Sequence, residues 1–190
     1  MSTSTTRNQR IGIWVIAVVL TVGTIGSFFV IILSNNNQIS DEQQQEQQQQ
    51  ELIKEEQQQA DAHAASSKPL DGYSAEAFDA SSVTDLKVDT LVAGTGKEAT
   101  ATSTVTADYF GWTADGKIFD STNQNGKDTA ADFSLSQVIE GWTKGLTGVK
   151  AGSTVRLTIP TSMAYGTSSE VQPGQPAGPL MFIVTLKDVK

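Results

Sequence analysis

Tyr109-Phe110-Gly111, Asp115-Gly116-Lys117-Ile118-Phe119-Asp120, Gln137-Val138-Ile139-Glu140-Gly141-Trp142 and Ala164-Tyr165-Gly166 follow one another in a single stretch, which ends in an extended run holding Phe182. Together they supply aromatic side chains, one short helix and a carboxylate directly after Phe119. They contain no base paired with a nucleophile and no set of metal ligands. An apolar cleft suits them better than a hydrolytic or metal centre.

The flanking sequence gives this stretch a scaffold. Residues 83–92 alternate as a strand, with Leu86, Val88 and Val92 on one side and Lys87 and Asp89 on the other. Gly94-Thr95-Gly96-Lys97 ends it and reads as a turn, because the spacing of a phosphate loop is missing and Glu98 stands where its hydroxyl belongs. Residues 104–112 predict a second strand, Ala114 to Lys117 a tight Asp-Gly turn, and 117–120 the returning strand. A polar excursion runs through Asn125-Gly126, and 133–135 is extended again. Residues 137–146 predict the domain's one helix, with Ser136 as cap and Val138, Ile139, Trp142 and Leu146 on the packed face. Val155, Leu157 and Ile159 alternate with polar residues, and 180–189 is the closing strand. Several antiparallel strands with one short helix laid across a face is an α+β arrangement.

Composition changes sharply upstream. Residues 1–10 carry +2, from Arg7 and Arg10; residues 34–82 carry −8; residues 83–190 carry only −2. The folded part is nearly neutral and has no basic stripe, which argues against nucleic acid as a partner. The chain has no cysteine, so disulfides and thiolate metal sites are excluded.

Residues 11–33 are uncharged and almost wholly apolar. A helix of that length spans roughly 35 Å, slightly more than a bilayer's hydrocarbon core. The run is too long for a signal-peptide core, which predicts an uncleaved, single-pass membrane helix. Arg7 and Arg10 precede it and Lys54 is the first basic residue after it, so the positive-inside rule leaves the N-terminus cytoplasmic and the remainder extracytoplasmic. Residues 34–82 read as a tether. Ten glutamines between Asp41 and Ala60 favour a solvated helix or disorder, and the absence of an apolar repeat argues against a coiled coil. Residues 62–82, rich in Ala, Ser, Asp and Gly, read as a flexible linker, and His63 as a solvated part of it.

In order and spacing, the four motifs resemble the FKBP family of peptidyl-prolyl cis-trans isomerases, and the likeness covers residues 83–190. It implies a curved antiparallel sheet wrapped around one short helix, with a pocket between them. It also implies Trp142 as the pocket floor and Tyr109, Phe119, Phe133, Val138 and Phe182 as walls. At the strand before the helix, either Phe133 or Ala131 could take the wall position. The Ile139 backbone N–H and the Tyr165 hydroxyl correspond to the family's carbonyl-binding donors, and Asp120 to its pocket carboxylate. Glu170 and Pro173 fall where family members often present a ring and a bulky aliphatic, so one rim reads as thinner and more acidic. No cofactor or metal is implied. The partners implied are proline-containing unfolded or partly folded chains and macrolides of the FKBP type. A non-catalytic peptide-binding or chaperone module on the same fold is the alternative function.

Overall fold

The structure, a computed structural model, describes residues 38–190. The chain divides into two compact units, Met1–Lys54 and Glu55–Lys190. The membrane span expected at 11–33 lies outside the described residues, among which no helix is long and apolar enough to cross a membrane. Helix α1 is Gln38–Ser66, and its Leu52 and Ile53 side chains are exposed.

In the second unit the strands are β1 (Lys87–Val92), β2 (Thr104–Thr113), β3 (Ile118–Ser121), β4 (Asn123–Gln124), β5 (Lys127–Asp128), β6 (Ala131–Ser134), β7 (Thr154–Ile159) and β8 (Leu180–Val189). Helix α2 is Glu140–Leu146. The main sheet is antiparallel, in the order β1-β7-β8-β2-β3, with β6 paired to the first half of β2. β4 and β5 form a small hairpin whose turn, Asn125-Gly126, has positive φ at both positions, as a tight two-residue hairpin turn requires. The glycines at 94 and 96 allow close approach to the turn at 151–153. A Cβ on Gly94 would stand 2.3 Å from the Ala151 carbonyl oxygen, and the Gly94 N–H donates to Ser153 Oγ at 2.9 Å.

Pairing register explains the curvature. Opposite Thr106/Ala107 of β2 the extra residue is Lys187 of β8, opposite Gly111/Trp112 it is Phe119 of β3, and each bends the strand that carries it. Facing the concave side are Tyr109, Gly111, Val155, Leu157, Phe182 and Val184, which are opposed across neighbouring strands. α2 lies against this side through two glycines one turn apart. A Cβ on Gly141 would meet the Ile159 side chain at 2.4 Å, and one on Gly145 would meet Leu157 at 2.9 Å. Helix and sheet therefore approach more closely than larger residues would allow.

Three sequence readings are corrected. α2 begins at Glu140 rather than Gln137, because Ser134 to Gln137 close a turn and Ile139 is extended, with φ −57° and ψ 149°. Ser136 does not cap it; its hydroxyl is bonded to that of Ser134. The largest difference concerns residues 62–82. Residues 62–66 continue α1, and 67–78 lie along the convex side of the sheet instead of forming a flexible linker. There Leu70 is buried with Phe110, Trp112 and Ile183, and Tyr73, Ala75 and Phe78 pack around them. The Trp112 indole N–H donates to the Glu76 carbonyl at 2.9 Å, and the Phe78 N–H to Ala114 at 2.9 Å. The physical reason lies in β2. Phe110 and Trp112 point away from Tyr109 and stack with ring centroids 5.1 Å apart, so both faces of the strand are apolar and the second needs a cover.

Candidate active site

Five aromatic rings from four strands and α2 form a continuous cluster. The Trp142 indole is met edge-on by Tyr109 at 5.1 Å and 89°, by Phe182 at 5.5 Å and 84°, and by Phe133 at 5.3 Å and 66°. Tyr109 also meets Phe133 at 5.4 Å, and Phe119 meets Phe182 at 5.7 Å. Edge-to-face pairs at these distances are the favourable arrangement for quadrupolar rings. Tyr109, Phe133, Trp142 and Phe182 are buried, while Phe119 is half-buried at the cluster's edge. The Trp142 Nε1–H has no partner among the described residues.

The bulge opposite Gly111 explains why Phe119 and Asp120 share this side. β2 pairs Gly111 with Asp120 and then Trp112 with Ile118, which leaves Phe119 as the extra residue. Gly111 leaves room for the rings: a Cβ there would stand 2.5 Å from Phe182 Cε1 and 2.8 Å from Phe119 Cζ. Of the two candidates before the helix, Phe133 puts its ring into the cluster, whereas Ala131 pairs with Ala107 on the sheet.

Polar groups sit along one edge. The Tyr109 hydroxyl donates to Asp120 Oδ2. Burial, followed by the charge of Asp120, raises the Tyr109 phenol well above its usual pKa, and the same two causes raise Tyr165. Both phenols therefore stay protonated through the physiological range and can act as donors. The Tyr165 hydroxyl and the Ile139 backbone N–H donate to no group among the described residues. Val138 and Ile139 are half-buried just before α2. Glu170, read from sequence as sharpening an acidic rim, is turned onto its own loop. Its Oε2 accepts from the Thr167 N–H and hydroxyl, both at 2.7 Å, which holds its carboxyl below the usual range.

One neighbour of the site escaped the sequence reading. His63 is not a solvated spacer: its Nε2 lies 2.7 Å from Asp120 Oδ1. The available signal was faint, a face of α1 built from Glu56, Ala60, His63 and Ala64 that is half-buried without any large apolar residue.

Comparison with known proteins agrees with this geometry. The family profile described as FKBP-type peptidyl-prolyl cis-trans isomerase matches residues 96–187. The outer membrane protein MIP of Legionella longbeachae is 42% identical over 105 residues, 55% of this chain and 44% of that protein. The chain thus spans less than half the length of that relative. An FK506-binding protein of Neisseria meningitidis serogroup B is 36% identical over 104 residues, 55% of this chain and 95% of the relative. The crystal structure of FkpA from Escherichia coli superposes with a TM-score of 0.50 at 23% identity, covering 96% of this chain and 92% of that one, a likeness of fold alone. A match that takes in nearly all of a relative at this identity, on a sheet wrapped around α2 with four motifs in register, places the chain in the FKBP-type peptidyl-prolyl cis-trans isomerase family.

Proposed function

We propose that the chain accelerates cis-trans exchange at X-Pro bonds in unfolded or partly folded proteins. An amide resists rotation by about 18–20 kcal/mol because resonance keeps it planar, and an X-Pro bond exchanges over tens to hundreds of seconds. Twisting the bond removes the resonance and withdraws charge from the carbonyl oxygen. A site that favours the less polar twisted form over either planar one lowers the barrier by differential binding, with no covalent step.

The observation that carries this reading is the buried Trp142 indole framed edge-on by Tyr109, Phe133 and Phe182, with Asp120 tied to Tyr109 beside it. In the proposed roles, Trp142 is the floor beneath the prolyl ring, and Tyr109, Phe119, Phe133, Val138 and Phe182 are walls. The Ile139 N–H and Tyr165 hydroxyl receive carbonyl oxygens, and Asp120 orients the bound peptide. Macrolides of the kind the family takes compete for the same surface. Residues 11–33 anchor the protein in the membrane as a single pass, with the isomerase domain, residues 83–190 together with the covering segment, outside the cytoplasm. Residues 34–66 give it reach.

Exchange NMR on a short X-Pro peptide with the full chain in detergent tests the reading. Accelerated exchange at micromolar protein supports catalysis. Peptide binding without acceleration supports a holding module instead.

A further inference from the structure

His63 is held in place from several sides. The N–H of Gly174, in the loop after Tyr165, donates to Gln57 Oε1 at 3.1 Å, and a Cβ on Gly174 would strike the Ala60 methyl at 2.7 Å. At the C-terminal end of α1, Asn125 N–H donates to the Ser66 carbonyl at 2.8 Å and Lys68 N–H to Asn123 at 2.9 Å. The Ser66 hydroxyl bonds Gln124 Oε1, and Gln124 Nε2 bonds Ser67 Oγ at 3.0 Å and the Ser121 carbonyl at 2.7 Å. Those two bonds use both amide hydrogens of Gln124. Its 3.4 Å approach to His63 Nε2 is therefore not a third hydrogen bond from that amide. A carboxylate oxygen only accepts, so at 2.7 Å from Asp120 Oδ1 the Nε2 carries the proton and donates it, while Tyr109 bonds Oδ2, and both carboxylate oxygens are engaged.

Among the described residues, Asp120 is the only charged group that faces His63 from the neighbouring strands. Behind it stand the phenols of Tyr109 and Tyr165, whose raised pKa values keep them neutral. Gln124, Ser66 and Ser67 are uncharged. On α1 itself, Asp61 is bonded to Gln57, and Glu170 of the nearby loop is committed to Thr167. His63 also sits in the last turn of α1, where the helix dipole favours a cation. The two side chains are 26% and 27% exposed, open enough to exchange protons with water yet close to the aromatic cluster.

We propose that His63 is a positioning residue of this site: it fixes the Asp120 carboxylate and, by gaining or losing a proton, makes that rim neutral or singly negative, so that the charge favoured next to proline changes with pH. The proposal rests on the isomerase reading above. The hydrogen bond to Asp120 raises the imidazole pKa, partial burial opposes the rise, and the Asp120 charge adds to it. Below that raised value the pair is neutral overall. Above it the neutral Nε2–H still holds the carboxylate, and the rim carries a net negative charge that attracts a basic residue and repels an acidic one. One charge acting over about 6 Å of water-like medium is worth roughly threefold, and more where water is excluded.

The test uses the full chain in detergent and peptides with Lys, Leu or Glu before proline, with kcat/KM measured from pH 5.5 to 9. The Lys-to-Glu ratio is expected to rise about tenfold as His63 loses its proton, roughly threefold from each of the two peptides. The rise should vanish in His63→Gln, and in His63→Lys the ratio should stay at its low-pH value. Because His63 is the chain's only histidine, its imidazole NMR titration gives a second readout. The midpoint is expected above 6.5 and is expected to fall in Asp120→Asn. An inactive wild-type chain would overturn the isomerase reading and the proposal with it. An active chain whose ratio ignores pH, or whose ratio rises equally in His63→Gln, would overturn the proposal alone, as would a midpoint indifferent to Asp120→Asn.

Discussion

Gly111→Ala adds one methyl group where the account leaves no room for it. The new Cβ would stand 2.5 Å from Phe182 Cε1, 2.7 Å from Cδ1 and 2.8 Å from Phe119 Cζ. Against an ordinary contact of 3.4 Å, the shortfall is about 0.9 Å for Phe182 and about 0.6 Å for Phe119. Phe182 cannot simply retreat, because its ring is buried and rests edge-on against both Trp142 and Phe119. Overpacking of this kind costs about 1–3 kcal/mol, while replacing glycine recovers about 0.4–1 kcal/mol through the unfolded chain. The net loss is about 1–2 kcal/mol, a fall in Tm of roughly 3–8 °C. Activity should suffer more than stability, since shifting binding groups by nearly 1 Å can cost up to about a hundredfold. Exchange NMR on a Leu-Pro peptide, at a temperature where circular dichroism shows a folded domain, should give kcat/KM lowered at least about tenfold. Wild-type Tm together with wild-type kcat/KM would show that the rings do not meet over Gly111.

The other predictions address packing and charge. Leu70→Ala should destabilise the domain by about 2–5 kcal/mol in urea, as expected for a leucine buried against Phe110, Trp112 and Ile183; a loss under about 0.5 kcal/mol would mean that residues 67–78 are not part of the core. Lys187→Met should cost more than Arg156→Met, about 1–3 against less than about 1 kcal/mol, because Lys187 pairs with the buried Asp108 at 2.6 Å while Arg156 pairs with an exposed Asp89 at 2.9 Å. Equal losses would contradict that ranking. The stability gap between wild type and His63→Gln should be largest below pH 6.5, the ordinary histidine value, and should shrink as pH rises through the raised folded pKa. A gap that widens with pH would reverse the assigned sign.

The concave half of this fold was open to sequence reading because its signals are local. β7 alternates in sequence, Asp115-Gly116 marks the turn between β2 and β3, and Trp142 sits on the one periodic helix. What stayed hidden depends on distant partners. Leu70, Tyr73 and Phe78 are too widely spaced among Pro69, Gly72 and small polar residues to show a period, and only the doubly apolar character of β2 implied a cover for its far side. His63 sits on a face of α1 shared with Glu56, Ala60 and Ala64, which carries almost no hydrophobic signal, and its partner is 57 residues away. The start of α2 was misplaced for a related reason. Val138 and Ile139 continue the apolar spacing of the helix, but Val138 lies in a bend and Ile139 is extended where the chain leads into it. Glu170 was legible as a carboxylate near the rim, while its capture by Thr167 required the three-dimensional path of the loop.

The central claim is that a buried indole favours the twisted imide over its planar forms. Comparing X-Pro exchange rates for the full chain and for Trp142→Leu, with circular dichroism confirming that both are folded, tests it most directly. The account predicts clear acceleration by the wild type and a loss of about tenfold or more in the variant, equivalent to ~1.4 kcal/mol of transition-state binding. Equal acceleration by the two proteins would contradict it.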